Sequence, residues 1–412
     1  MSVASPALDR HLETLVREWL GLPPSSGTAL PELPARLARR LLRFEEHEQS
    51  HRDRWGCWEY GFSESYRDGT LLVPEIDEWA AAQRAELAAT TTLVPLWPEG
   101  RRFAACLTHD VDLFSEASTV SQALRSMRTA LAPGGPRRPQ VVRLAAPLVR
   151  AARALKSGIS LHPPAVDLER SLAIEQDRGV TASYLFTVFP GSESSRFDCT
   201  YAPDDRCTFR GRRHRIRDVL RIIAAEGFDV GLHGSYPAAV RSDLLLRERR
   251  RLEEATGLVI RSTRQHFLHW DVARTPALQE AAGLRVDSTL GFNRSVGYRA
   301  GTSLPFRLFD IPADRPLDVL EVPLIVHDAP VLRADGLELD VTLGLELIQC
   351  VIDRVAAVGG VATLSFHPNN FARPAVCDLY RHAIDYIVER GGWVTSLHGI
   401  DVWWRQRAAS LA

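Results

Sequence analysis

Apolar residues along the second half of the chain alternate between helical spacing and short continuous runs, and this alternation sets the expected architecture. A helix is expected over Leu168 to Arg178, stopped by Gly179, and the β-rich run Val180 to Val188 follows as a strand. Ile216 to Glu226 reads as helix with Gly227 as its stop, then Phe228 to His233 as strand. Leu244 to Thr256 is a charged helix, Ile260 to Phe267 a strand, Pro276 to Ala282 a helix and Leu284 to Asp287 a strand. The last repeats place strands at Leu320 to Val326, Val361 to Phe366 and Trp393 to Thr395, with helices at Leu343 to Val358 and Cys377 to Glu389. Strands that alternate with helices imply a parallel sheet covered by helices, and about seven such repeats imply an irregular seven-stranded (β/α) barrel.

The first 98 residues follow a different pattern. Leu12, Leu15, Val16, Trp19 and Leu20 fall at helical spacing, as do Leu33, Leu37, Leu41 and Leu42, with Pro23-Pro24 as a breaker between them. Trp55, Trp58, Tyr60 and Phe62 form an aromatic cluster, expected in a core or interface, and the turn Trp97-Pro98-Glu99-Gly100 closes the unit. The expected division is a mostly helical N-terminal region over 1–98 and an α/β barrel over 99–408. Within the barrel, Pro133 to Pro139 reads as an exposed basic insertion ahead of a helix ending near Lys156.

Composition narrows the class. The chain has 412 residues, 45% hydrophobic and 25% charged, which excludes a disordered chain and leaves room for a large core. The 50 Lys and Arg nearly cancel the 51 Asp and Glu, so no global field draws in nucleic acid or anionic lipid. The start, Met-Ser-Val-Ala-Ser-Pro, has neither the basic opening nor the apolar stretch of a secretion signal, and no run is long enough to cross a bilayer. A cytoplasmic location is expected. The six cysteines are scattered without Cys-x-x-Cys spacing and are read as mostly reduced; Cys199 and Cys207 are the one pair close enough for a local bridge.

Candidate chemistry sits at the ends of the expected strands. Leu107-Thr108-His109-Asp110-Val111-Asp112 follows the run Phe103 to Leu107, and alternation lets Asp110 and Asp112 point to the same side. Two carboxylates that close need a cation or a proton between them, unless they simply cap a turn. His233, His266 and His367 each follow another expected strand, and the C-terminal ends of parallel barrel strands converge on one mouth. One Asp with two His makes a suitable first shell for a divalent metal that keeps a position for water. No glycine-rich phosphate loop, dinucleotide fingerprint or serine nucleophile elbow is present, which argues against kinases, dehydrogenases and serine hydrolases.

From about Arg101 to Trp404 these motifs resemble the polysaccharide deacetylase superfamily, carbohydrate esterase family 4 and its relatives. The resemblance implies that fold, with Asp110 as base and Asp112 as metal ligand in the Asp-x-Asp version of the first motif. The second motif, usually His-Ser/Thr-x-x-His, is matched only in its first half by His233-Gly234-Ser235-Tyr236-Pro237, where Pro237 replaces the second His. The third keeps its Arg as Arg264, but His266 stands in place of the Pro. His266 is therefore expected to supply the missing imidazole, giving a metal shell of Asp112, His233 and His266; a site that has lost its metal is the competing reading. Asp287 in Arg285 to Leu290 is expected to hold its neighbours in place. Leu364-Ser365-Phe366-His367-Pro368 resembles the fifth motif and makes His367 the general acid.

The implied activity is metal-dependent removal of an N-acetyl or O-acetyl group from a sugar or glycan intermediate, with Zn2+ foremost and Co2+, Ni2+ or Mn2+ as other ions. Arg264 would keep Asp110 ionised, and a neutral-range histidine suits a departing amine. Tyr201, Tyr298 and Arg299 are expected at the mouth as substrate contacts, with Asp198 and the Gly301 to Phe306 loop beside them, or else as packing. The expected partner is an acetylated sugar rather than nucleic acid. Hydrolysis of a non-sugar amide, or a silent scaffold whose N-terminal aromatic unit does the work, are the other functions open to this sequence.

Overall fold

A computed structural model describes residues 5–114, 125, 168–189, 191–241 and 243–411; the expected insertion at Pro133 to Pro139 and the helix ending near Lys156 lie outside them. Among the described residues the sheet has ten strands, where about seven were expected. These are β1 (Phe103–Val111), β2 (Ser183–Phe186), β5 (Asp229–Gly234), β6 (Ser262–Gln265), β7 (Val286–Asp287), β8 (Phe306–Asp310), β9 (Arg315–Glu321), β10 (Val326–His327), β11 (Val361–Ser365) and β12 (Gly392–Thr395). A separate hairpin pairs β3 (Arg206–Phe209) with β4 (Arg212–Arg215).

The order is β10-β11-β1-β2-β5-β6-β7-β9-β8, with β12 on β1, so among the described residues the sheet is a curled half-barrel and not a closed barrel. Within this sheet every described pairing is parallel except β8 with β9, which is antiparallel. The extra strands lack the signals used to count repeats. The expected strand Leu320 to Val326 is split into the end of β9 and the two-residue β10, because Pro323 between them has no N–H to give to a ladder. The β3–β4 turn puts Arg210 (φ 50°) and Gly211 (φ 72°) in the left-handed region, as a tight two-residue hairpin requires. The basic run over 210–217 therefore includes a hairpin as well as the start of the helix Ile216–Ala225.

β1 organises the sheet. Its first half lies between β12 and β11, and its second half pairs with β2 (Thr108 opposite Ser183, Val111 opposite Phe186). Alternation sends Phe103, Ala105, Leu107 and Val111 into one core with Tyr184, Phe186, Val230 and Leu232. Helices Glu169–Asp177, Ile216–Ala225, Leu244–Thr256, Val341–Val358 and Pro374–Glu389 add their buried residues to that core. Ala104 and Cys106 face the opposite core, with Leu185, Val286 and Val361. Leu15, Val16, Trp19 and Leu20 of the N-terminal helix Pro6–Leu20 and Trp404 of the C-terminal helix Leu397–Ala409 complete it. The N-terminal helix is closed by Ser5, whose Oγ accepts from the Leu8 N–H (3.0 Å), and by Gly21 at φ 64°. The turn Pro98–Gly100 stands shortly before β1. Helices Pro6–Leu20, Ala35–Leu41, Phe44–Glu48, Glu64–Arg67 and Glu75–Leu87 precede it. No helix among the described residues is long and apolar enough to cross a membrane.

Candidate active site

Thr108, Asp110 and the following Asp112 continue the side of β1 that Ala104 and Cys106 begin. At the C-terminal end of the sheet, Asp110, Asp112, His233, His266 and His367 line one cavity of about 90 Å³. Arg264 stands behind them, fully buried. Thus six of the residues singled out from the sequence meet in space.

Arg264 contacts Asp110 directly, Nη1 to Oδ1 at 2.7 Å. All three of its nitrogens are engaged: Nη1 also reaches the Thr108 and Ser365 hydroxyls (2.9 and 3.1 Å), Nε donates to the Ser288 carbonyl (2.6 Å) and Nη2 to the Ser288 hydroxyl (2.8 Å). A guanidinium fixed this way cannot turn from the carboxylate. Burial raises the Asp110 carboxyl, but the Arg264 charge and the nearby histidines outweigh it and hold the group well below the usual carboxylate range.

Asp112 gathers imidazoles. Its Oδ1 lies 3.2 Å from His233 Nε2 and 3.5 Å from His266 Nε2, and its Oδ2 lies 3.5 Å from His367 Nε2. The His233 ring is oriented from behind, because Nδ1 is 3.0 Å from the Arg264 carbonyl, which can only accept. Nδ1 therefore carries the proton, and in the neutral ring Nε2 aims its lone pair at a carboxylate oxygen. That arrangement calls for a cation or a second proton between the two. Donors bound tetrahedrally at ~2.1 Å stand ~3.4 Å apart, and the 3.2 and 3.5 Å spacings from Asp112 to His233 and His266 are of that size. Among the described residues, the groups whose donor atoms all lie within 4.8 Å of one another are Asp112, Cys199 and His266, and Asp110, His327 and His367; His233 is in neither. The carbonyl behind His233 is the kind of outer partner that fixes a metal-binding ring. His266 lacks one, since its buried Nδ1 has no hydrogen-bond partner. Cys199 also stands close: its Sγ, an Asp112 oxygen and a His266 nitrogen lie within 4.8 Å of one another. Cys199 and Cys207 are both free thiols.

His367 is held by a residue not singled out from the sequence. Its Nδ1 lies 2.7 Å from Asp328 Oδ1, its backbone N–H donates to Asp328 Oδ2 (2.9 Å), and Asn370 Nδ2 donates to the same oxygen (2.7 Å). Burial lowers the imidazole, but the Asp328 carboxylate dominates, and the group is pushed up to about 10. Beside it His327 is buried with neither ring nitrogen hydrogen-bonded, and burial together with the His367 charge lowers it to about 4. Asp328 and His327 end a strand as the other site residues do. The signal that would have found them is His-Asp directly after the run Leu320 to Val326.

The three expected substrate contacts do not line the cavity. The Tyr201 hydroxyl donates to the Val111 carbonyl (2.6 Å) and accepts from the Thr187 N–H (2.8 Å), which ties the end of β1 to β2. Tyr298 is buried in the apolar core. Arg299 is buried against Glu46, with Nη2 to Oε2 at 2.8 Å. The polar atoms of Tyr201 and Arg299 thus satisfy interior partners, whereas the buried Tyr298 hydroxyl has no hydrogen-bond partner. Asp198 accepts from the backbone N–H groups of Ser195 and Tyr236, also as a loop-holding residue. Asp287 accepts from Thr289 through both its hydroxyl and its N–H (2.7 and 3.3 Å) and holds the loop after β7. Trp55, Phe267, Leu268, Asn293, His327, Ala329, Arg333 and Asp335 complete the cavity wall.

No family model and no curated protein matches the chain. Among solved structures, one from Mycobacterium smegmatis assigned to the polysaccharide deacetylases is similar over 77% of this chain and 95% of that one, at 20% identity and a TM-score of 0.50. The Puue allantoinase aligns over 77% and 95% at 15% identity and a TM-score of 0.49. A further structure assigned to the polysaccharide deacetylases, from Pseudomonas aeruginosa, aligns over 75% and 93% at 15% identity and a TM-score of 0.47. At such identities the likeness is one of fold.

Proposed function

We propose that this polysaccharide-deacetylase fold carries a metal-dependent hydrolase that removes an N-acetyl or O-acetyl group from a sugar or glycan intermediate. The observation that supports the reading is that Asp112 stands 3.2 and 3.5 Å from the Nε2 atoms of His233 and His266, flanked by two paired groups, Asp110 with Arg264 and His367 with Asp328. A bound divalent ion, Zn2+ foremost, would polarise the acyl carbonyl and acidify a water. Asp110, kept ionised by Arg264, accepts the proton of the attacking water. His367, kept protonated by Asp328, delivers its Nε2 proton to the departing amine or alkoxide. The cycle closes when the proton held by Asp110 passes to solvent or back to His367.

The test is metal analysis of the purified chain beside His266→Ala, with acetate release followed on acetylated sugars. Near one equivalent of metal in the parent, its loss in the variant and release of acetate by the parent alone are expected. Metal retained by His266→Ala would move the third ligand to another donor, with Cys199 the nearest candidate. Absence of metal from both proteins after zinc addition would make the chain a silent scaffold. A metal-loaded parent that hydrolyses only non-sugar amides would make it an amidohydrolase of another class.

A further inference from the structure

Of the cavity residues with no part in proton transfer, Trp55 belongs to the N-terminal region, in the stretch Asp53 to Glu59. Asp53 Oδ1 accepts from the backbone N–H groups of Trp55 and Cys57, both at 2.8 Å, so the stretch is a closed turn. The turn is tied down on several sides. The Trp55 carbonyl accepts from the Tyr236 hydroxyl, in the loop after β5. Cys57 Sγ donates to the Phe267 carbonyl (3.3 Å), just past β6. Glu59 pairs with Arg294 (2.7 Å), and Arg54 pairs with Asp335 (2.9 Å), beyond β10. In the sheet β5 and β6 lie on one side of β1, whereas β10 lies on the other. The stretch therefore bridges both flanks above the strand ends that carry Asp110 and Asp112.

We propose that this strap closes the site into a pocket for one acylated unit, either a single sugar or the terminal ring of a glycan, and excludes the internal units of a polymer. The inference rests on the deacetylase reading above. An internal unit must leave the site in two directions, and a neighbouring ring on one side would meet the Arg54–Asp335 bridge. The Trp55 indole offers the flat, amphipathic surface that suits a sugar face, and the Arg54 guanidinium, 4.0 Å from the ring centroid, braces it. Phe267, 6.1 Å from Trp55 between centroids, is held at φ 60°, and its carbonyl also accepts from Asn293 Nδ2 (2.6 Å). The wall is thus fixed from the barrel side as well.

The experiment uses the full chain loaded with zinc and three probes: N-acetylglucosamine, an end-labelled tetramer of it, and soluble acetylated polymer. Mass spectrometry locates each lost acetyl group. The wild type is expected to release acetate from the monosaccharide and from one terminal ring of the tetramer, with polymer release limited to chain ends. Arg54→Ala and Trp55→Ala are each expected to raise the polymer-to-monosaccharide rate ratio by about tenfold. Arg54 is exposed, so its variant serves where the Trp55 change impairs folding. Loss of internal acetyl groups with the wild type, or an unchanged ratio in both variants, overturns the strap and leaves the deacetylase reading standing. No acetate from any probe, with metal bound, overturns that reading and this inference with it.

Discussion

At the scale of single residues, the site is governed by which partner stands behind each titrating group. Asp328 is the clearest case, because His367 meets it through both its ring and its backbone N–H. Asp328→Asn keeps the shape but removes the charge that holds the imidazolium. We expect kcat to fall by about 10²-fold with KM little changed, and the alkaline limb of the kcat profile to move to lower pH as His367 loses its proton more readily. An unmoved limb would assign that proton to another group. Of the residues that could be read from the sequence, Asp110, Asp112, His233 and His367 follow an apolar run long enough to mark a strand end, whereas His266 follows the polar run Arg261 to Gln265 and is legible only from its place after Arg264. Tyr298 and Arg299 could not be placed, because a polar side chain does not reveal whether it faces a cleft or an interior partner. The partner of Arg299, Glu46, lies far away in sequence and belongs to the other half of the molecule.

At the scale of elements, buried polar contacts fix the strands that present these groups. His109, on β1 beside Asp110, is buried with Nδ1 at 2.7 Å from the Phe366 carbonyl and Nε2 at 2.6 Å from Glu175, which also accepts from Tyr184 and Tyr380. This network locks β1 to the helix Glu169–Asp177 and to the strand end that carries His367. Glu248, on the helix Leu244–Thr256, accepts from the Ser235 N–H (3.0 Å) two residues past His233. Burial pushes the Glu248 carboxyl up to about 8. The folded state then binds this proton more tightly than the unfolded chain, so the contribution of Glu248 is complete below pH ~4.3 and is lost as pH rises toward 8. Glu248→Gln should remove that dependence, making the variant's stability relative to the parent greater at pH 8 than at pH 5. Each pH unit is worth at most about 1.4 kcal/mol. Equal differences in urea unfolding at the two pH values would show that Glu248 does not titrate. The main helices and long strands were legible because their periods run over many residues. β10 was not, since two residues after a proline carry no period. The β8–β9 hairpin also escaped notice because no helix separates its strands.

At the scale of the whole molecule, the N-terminal residues share a core with the sheet. Trp19 Nε1 donates to the Pro305 carbonyl (3.0 Å), Trp97 Nε1 to the Gly359 carbonyl (2.7 Å), and Trp404 Nε1 to Glu18 (2.9 Å). The amphipathic spacing of Leu12 to Leu20 could be read in the sequence, but a stripe of leucines does not name the surface it covers. A fragment lacking residues 1–98 should expose that surface. It is expected to aggregate or to unfold without cooperativity; a soluble, cooperatively melting fragment over 99–412, shown by circular dichroism and gel filtration, would establish an independent α/β domain. Glu46 sits between Arg43 and Arg299, all three buried, and its carboxyl stays at about 2 because the two guanidinium groups outweigh the effect of burial. Glu46→Ala should cost about 3–5 kcal/mol by stranding both charges, and a loss under 1 kcal/mol in urea unfolding would show that the cluster relaxes.

The strap over the site has a consequence for how such a protein can diverge. The groups proposed to move protons stand on strand ends held by the sheet, whereas Trp55 and its ties belong to a short turn upstream of β1. Changes in that turn can redraw the range of acceptors while the hydrolytic centre stays constant, so duplicated copies could acquire new substrates through a few substitutions between residues 53 and 59.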